Sequence, residues 1–319
     1  MSPVTHRSVH ANGIDIHLAE AGAGPAVVLL HGFPELWYSW RHQVVALADA
    51  GYRAIAPDLR GYGRTTAPAA VEDYAMVHMV ADVVGVLDSL GEDRAVVVGH
   101  DWGANIAWAC AQLYPDRVAA VAALSVPFQQ RPAEPPVRRL RRMTATRFNW
   151  ALYFQEPGVA EAELEQDVTR TLRLMFYALS GDAPEDLAPR LLGGLSAGSR
   201  LLDPIPEPAQ LPGWLAADVL GYYAAEFDRT GFTGGLNRYR NLDRDWADLG
   251  GLGAATINQP ALYIGGGRDT ATRVVDHKPM ELAVADLRSM IIPGCGHWIQ
   301  QEQPGLVNEE LITFLRQHA

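Results

Sequence analysis

The segment Gly99-His100-Asp101-Trp102-Gly103 sets an acidic side chain between two glycines, directly after the apolar run Ala95-Val96-Val97-Val98. This is the small-x-nucleophile-x-small spacing of a nucleophile elbow, with Asp where serine is better known. A strand-to-helix turn this sharp crowds its own backbone, and Gly99 and Gly103 remove the side chains that would clash. The central side chain is then held above the carboxyl ends of the strands, where ligands bind in open α/β sheets. Amides opening the next helix favour negative charge at the same spot. Asp101 is therefore the candidate nucleophile, although an Asp here also suits a plain helix N-cap.

Three further loops supply partners. His31-Gly32-Phe33-Pro34 follows an apolar run, so the N–H groups of Phe33 and Trp102 together would form an oxyanion hole. His297, in Pro293-Gly294-Cys295-Gly296-His297-Trp298, is the candidate base. His100 lies beside the nucleophile, points away from it and is read as packing. Asp269, in Gly265-Gly266-Gly267-Arg268-Asp269, would orient His297 and stabilise its charged form. A turn-capping role is the plainer alternative for Asp269. The chain order of Asp101, Asp269 and His297 is nucleophile, acid, histidine.

The elements that must position these groups alternate. Ser8 to Glu20 alternates about Asn12-Gly13, a hairpin signal. Short apolar runs at 26–30 and 95–98 suit strands buried on both faces, and those at 52–56, 118–124, 260–264 and 287–292 continue the strand alternation. Helical spacing occupies 40–48, 74–90, 104–113 and 304–317, with Gly91 stopping the second of these. Strands alternating with helices indicate an α/β fold with a mainly parallel sheet. From about 128 to 245 the pattern is helical, with no clear strand. The expected organisation is a core of 1–127 and 246–319 interrupted by a helical insertion of 128–245.

The 319 residues carry 48% apolar and 20% charged side chains, an ordinary globular composition. A net charge of −11 argues against a nucleic-acid backbone or an anionic membrane surface as partner. The basic run Arg138-Arg139-Leu140-Arg141-Arg142 reads as a solvated helix face. Cys110 and Cys295 form neither a disulfide scaffold nor a zinc spacing. Neither a secretory leader nor a membrane span is expected, so the cytoplasm is the expected compartment.

On the motifs at 31–35, 58–63, 99–103 and 296–298, the chain resembles the soluble type of α/β-hydrolase-fold epoxide hydrolase. The inserted segment is similar too, in Leu152-Tyr153-Phe154-Gln155-Glu156-Pro157-Gly158 and in the stretch 230–241 around Tyr239. Two places depart from the pattern: Arg238 stands where Trp is common, and the loop 266–270 is atypical. The resemblance implies an eight-stranded, mostly parallel sheet flanked by helices, with 128–245 as a helical cap. It also implies that Tyr153 and Tyr239 donate to an epoxide oxygen while Asp101 attacks a ring carbon, giving a vicinal diol through an Asp-linked ester. Tyrosine keeps its proton at neutral pH and suits that task; the plainer alternative makes both phenols cap-core aromatics. No cofactor or metal is implied, the partner is a small apolar epoxide, and the protein is expected as a monomer or homodimer. A haloalkane or haloacid dehalogenase on the same fold, with Trp102 serving a halide, and a silent ligand-binding hydrolase fold are the competing functions. Trp37, Phe128, Phe154, Trp214 and Trp298 are read as core rather than pocket.

Overall fold

A computed structural model describes residues 2–144, 146–193, 195–252, 256–274 and 278–319. β1 (Thr5–Ala11) and β2 (Ile14–Ala21) form the expected hairpin, with Ala11 opposite Ile14. Asn12 and Gly13 have φ of 48° and 77°. Positive φ at both central residues belongs to a type I′ turn, whose twist matches that of the strands. The other strands are β3 (Ala26–Leu30), β4 (Arg53–Pro57), β5 (Ala95–His100), β6 (Val118–Leu124), β7 (Ala261–Gly266) and β8 (Leu287–Ile292). Together the described residues make one eight-stranded sheet in the order β1-β2-β4-β3-β5-β6-β7-β8. β2 lies antiparallel to both neighbours, and β4 through β8 run parallel.

Within the first half of the core lie helices α1 (Arg41–Asp49), α2 (Met76–Leu90) and α3 (Trp102–Leu113). Each boundary shifts slightly from its sequence pattern. Trp37–Trp40 and Val71–Tyr74 form short 3-10 turns ahead of α1 and α2, while α3 begins at Trp102 itself. Gly91 ends α2 with φ 70°, the left-handed C-cap that glycine adopts readily.

Between β6 and β7 the chain is helical. It comprises α4 (Pro136–Met143), α5 (Trp150–Tyr153), α6 (Val159–Leu164), α7 (Val168–Leu179), α8 (Leu187–Gly193), α9 (Ala217–Thr230), α10 (Thr233–Arg240) and α11 (Leu242–Asp248). The expected boundary at 245 falls inside α11. The four arginines of α4 are exposed. After β7 come α12 (Thr270–Val274), α13 (Met280–Ala283), α14 (Ile299–Glu302) and α15 (Pro304–His318). No helix among the described residues is long and apolar enough to cross a membrane.

β3, β5 and β7 are buried at every position. Alternate residues serve opposite faces of the sheet, as the strand period requires. Val28, Leu30 and Val97 join Val80 and Val83 of α2 and Ala104 of α3 in one core. Val27, Leu29, Val96 and Val98 join Val44 of α1 and Leu311 of α15 in the other.

The elbow's tolerance for side chains is testable. A Cβ at Gly103 would sit 2.0 Å from the Leu30 carbonyl oxygen, and backbone there cannot swing aside. Gly103→Ala should lower unfolding free energy by about 3 kcal/mol or more, measured by urea denaturation.

Candidate active site

Asp101 follows β5 with φ 53° and ψ −117°, a strained conformation for a residue with a side chain. Such strain costs of order 1–3 kcal/mol and persists where surrounding contacts enforce it. The Asp101 carbonyl accepts from Ala104 N at 3.0 Å, tying the elbow to the first turn of α3. Across from it, a Cβ at Gly32 would lie 2.4 Å from the Asp101 Cβ, so only glycine lets the two loops meet. Phe33 N–H donates to Asp101 Oδ1 at 3.0 Å, and the Phe33-Pro34 bond is cis. Trp102 opens α3, and an amide at that position has no acceptor within its own helix.

His297 stands between two carboxylates. Its Nδ1 is 3.0 Å from Asp269 Oδ1, and its Nε2 is 3.7 Å from Asp101 Oδ2. Asp269 is fully buried and also accepts from Ala271 N at 2.8 Å and Ser125 Oγ at 2.6 Å. Burial would lower the His297 pKa, but Asp269 and then Asp101 outweigh it and lift the imidazole to about 9. Burial likewise opposes the charged form of Asp269, yet His297 and Ser125 hold that carboxyl below its ordinary value. Asp101, Asp269 and His297 are thus brought together.

Two groups in this cluster were given no role by the sequence. Ser125, with φ 71°, follows β6 and places its Oγ 3.0 Å from His297 Nδ1. Its position at the carboxyl end of a central strand is the clue that was available. Glu35 is fully buried and accepts from Gly32 N at 2.9 Å, Gln300 Nε2 at 2.9 Å and Gln301 Nε2 at 3.0 Å. Its Oε2 also lies 2.6 Å from His100 Nδ1, while His100 Nε2 lies 2.7 Å from the His297 carbonyl oxygen. Both neighbours are acceptors, so each ring nitrogen of His100 is placed to donate. His100 is buried, as its packing role required, and it also anchors the His297 loop. Burial alone would raise the Glu35 carboxyl; His100 overcomes this and holds it below its usual value.

The two tyrosines part company. Tyr239, on α10, is buried with its ring 5.0 Å from Trp102 and 5.6 Å from Phe33, the residues on either side of the Asp101 carboxylate. Burial and then the Asp101 charge push its phenol well above the ordinary value, with Trp102 and Arg238 acting the other way. Tyr153, on α5, donates to Glu163 Oε2 at 2.8 Å instead. With Glu163 and Arg200 it lines an open pocket of about 450 Å³ that does not include Asp101. Glu163 is fixed there by Leu202 N at 2.9 Å and Leu201 N at 3.1 Å. The expectation that Tyr153 shares the site is therefore not met by its placement, because a buried carboxylate holds its hydroxyl elsewhere. Arg238 is buried, pairs with Asp245 and the Tyr74 carbonyl, and lies over the Trp102 ring at 4.8 Å. Of the five other aromatics, Trp37, Phe128, Phe154 and Trp298 are buried in the core, and Trp214 packs against it.

The raised His297 pKa links stability to pH. A proton bound more tightly in the folded state stabilises it fully below the unfolded pKa of about 6.5, and that contribution disappears as pH rises through about 9. Wild type should therefore lose on the order of 3 kcal/mol relative to His297→Gln across that window. Urea denaturation of both proteins at several pH values measures the difference.

A model of the α/β-hydrolase fold matches residues 25–304. The chain is 48% identical to epoxide hydrolase A of Mycobacterium tuberculosis, over 99% of this chain and 98% of that one. It is 41% identical to the bifunctional epoxide hydrolase 2 of Sus scrofa, over 96% of this chain but 54% of that longer protein. The crystal structure of epoxide hydrolase A from Mycobacterium thermoresistibile superposes with a TM-score of 0.95 at 47% identity, covering 99% of each chain. By fold, by elbow and by full-length likeness, the chain belongs to the epoxide hydrolases of the α/β-hydrolase family.

Proposed function

We propose that the protein converts an epoxide and water to a vicinal diol through an ester on Asp101, with 128–245 as a cap over a core of 1–127 and 246–319. The observation that carries the mechanism is the carboxylate on the elbow, 3.7 Å from His297 and electrostatically coupled to the buried phenol of Tyr239. Nucleophile, base and acid thus converge from three separate segments.

In the first step Asp101 Oδ2 attacks a ring carbon and the carbon–oxygen bond of the epoxide breaks. Oδ1, already held by Phe33 N–H, becomes the ester carbonyl oxygen. Tyr239 gives its proton to the departing oxygen. Its raised pKa keeps that proton in place until Asp101 is esterified. Loss of the Asp101 charge then removes one cause of the elevation, so the phenol becomes a better acid as the alkoxide forms.

The same loss of charge acts on His297. One of the two carboxylates holding its proton is gone, so the imidazole becomes a base after alkylation and not before. It takes a proton from water, which attacks Cγ of Asp101. Phe33 and Trp102 N–H groups hold the tetrahedral oxyanion, and Asp269 orients the imidazole. Cleavage of the Cγ–Oδ2 bond, with the proton held by His297 passing to the leaving oxygen, releases the diol. Every group in this cycle belongs to one chain, so a monomer suffices, and the chemistry calls for neither cofactor nor metal. The rings of Phe33, Trp102, Phe154 and Tyr239 favour a small apolar epoxide. Both cysteines are free and buried, which fits a reducing cytoplasm.

His297→Gln should accumulate protein heavier by one epoxide, and Asp101→Asn should form no such adduct; intact-mass spectrometry reads both. Single turnover in heavy-oxygen water should place the label in the Asp101 carboxylate, and label found only in the diol would sink the mechanism. Ester decay should accelerate with rising pH, with a midpoint below the value of about 9 set by the resting enzyme.

A further inference from the structure

An opening epoxide turns an ether oxygen into an alkoxide with several lone pairs, and the cycle above meets only one of them. A second preorganised donor is worth a large factor in rate. Tyr153 does not supply it, because its hydroxyl is committed to Glu163 and faces another pocket. Tyr62 is electrostatically coupled to Asp101. However, it is 3% exposed and sealed beneath Gly235, whose added Cβ would lie 2.7 Å from the Tyr62 hydroxyl.

We infer that the indole N–H of Trp150 is the second donor, hydrogen-bonding the departing epoxide oxygen beside the Tyr239 hydroxyl; this role presupposes the epoxide opening proposed above. The Trp150 ring meets the Tyr239 ring edge-to-face, at 5.3 Å and 87°. Tyr239 in turn touches Phe33 and Trp102, so Trp150 extends the ring of aromatics that surrounds the nucleophile. Its donor is free. Trp37, Trp108, Trp246 and Trp298 each give their indole N–H to a protein oxygen. Those of Trp40 and Trp214 are buried without a partner, and that of Trp102 is directed at Tyr239. Trp150 makes no indole hydrogen bond among the described residues, and the residue is 40% exposed, so no described protein acceptor claims its N–H. The turn that carries it is held by Asn149, whose Oδ1 accepts from Leu152 N at 3.1 Å. Such a cap limits the reorganisation needed to meet the substrate.

The two donors divide the work. The Asp101 Oδ2–carbon bond forms as the epoxide carbon–oxygen bond breaks, and the electron pair goes to oxygen. The proton that neutralises it comes from Tyr239, which recovers one from solvent. The indole keeps its proton throughout and only stabilises the charge.

The experiment measures ester formation and ester decay separately, by rapid quench and intact-mass spectrometry, in wild type, Trp150→Phe, Trp150→Tyr and Tyr153→Phe. Phenylalanine keeps a ring against Tyr239 and removes the donor; tyrosine restores a donor. Trp150→Phe should form the ester roughly 100-fold more slowly, with unchanged decay, while Trp150→Tyr recovers much of the loss and Tyr153→Phe alkylates as wild type. Wild-type alkylation in Trp150→Phe would overturn the assignment. So would a loss that Trp150→Tyr does not relieve and that slows decay equally, since this marks packing alone. Wild type itself forming no ester would instead refute the epoxide-opening cycle.

Discussion

His297 lies between a buried carboxylate at 3.0 Å and a partly open one at 3.7 Å, and the rest of the site is arranged around that line of charge. An imidazole so placed retains its proton, and it becomes a base only when one carboxylate loses its charge. In the cycle proposed above, esterification of Asp101 is the event that does this. The base is thus switched on by the first half of the reaction, which keeps the two steps in order without a moving part. Asp101 raises both Tyr239 and His297, so in the proposed cycle one change of charge readies both the acid and the base.

Four neighbouring parallel strands make this line possible. Asp101, Ser125, Asp269 and His297 follow β5, β6, β7 and β8, which are adjacent in the sheet in that order. Parallel strands bring all their carboxyl ends to one edge, so four loops far apart in the chain converge. Behind them, Glu35 and His100 form a buried pair that grips the Gly32 amide on one side and the His297 carbonyl on the other. A buried pair of this kind adds little to stability but fixes geometry, and here it joins the oxyanion loop to the histidine loop.

The helical insertion is tied into the same frame. His297 N–H donates to the Leu179 carbonyl at the end of α7, and Glu302 accepts from Gly181, Gly296 and Trp298. The loop carrying the base therefore rests on the segment that also carries the aromatic wall. Arg238 braces that wall from behind, through the Trp102 face and the Asp245 carboxylate.

The alternation of buried runs with helices was legible in the sequence because each element buries its own periodic face. The elbow was legible because its glycines sit next to the residue they serve. Phe33, Asp269 and His297 were legible for a related reason: each follows a buried run that must end at the same edge of the sheet. Sheet order was not legible, since nothing local states that β4 lies between β2 and β3. The roles of Glu35 and Ser125 were not legible either, because His100 and Asp269, the partners that define them, are 65 and 144 residues away. On α5, the resemblance pointed to Tyr153, and nothing in the sequence singled out Trp150 three residues earlier. Only the tertiary structure separated them: a buried glutamate from α6 holds the Tyr153 hydroxyl, while packing against α10 sets the Trp150 ring against Tyr239.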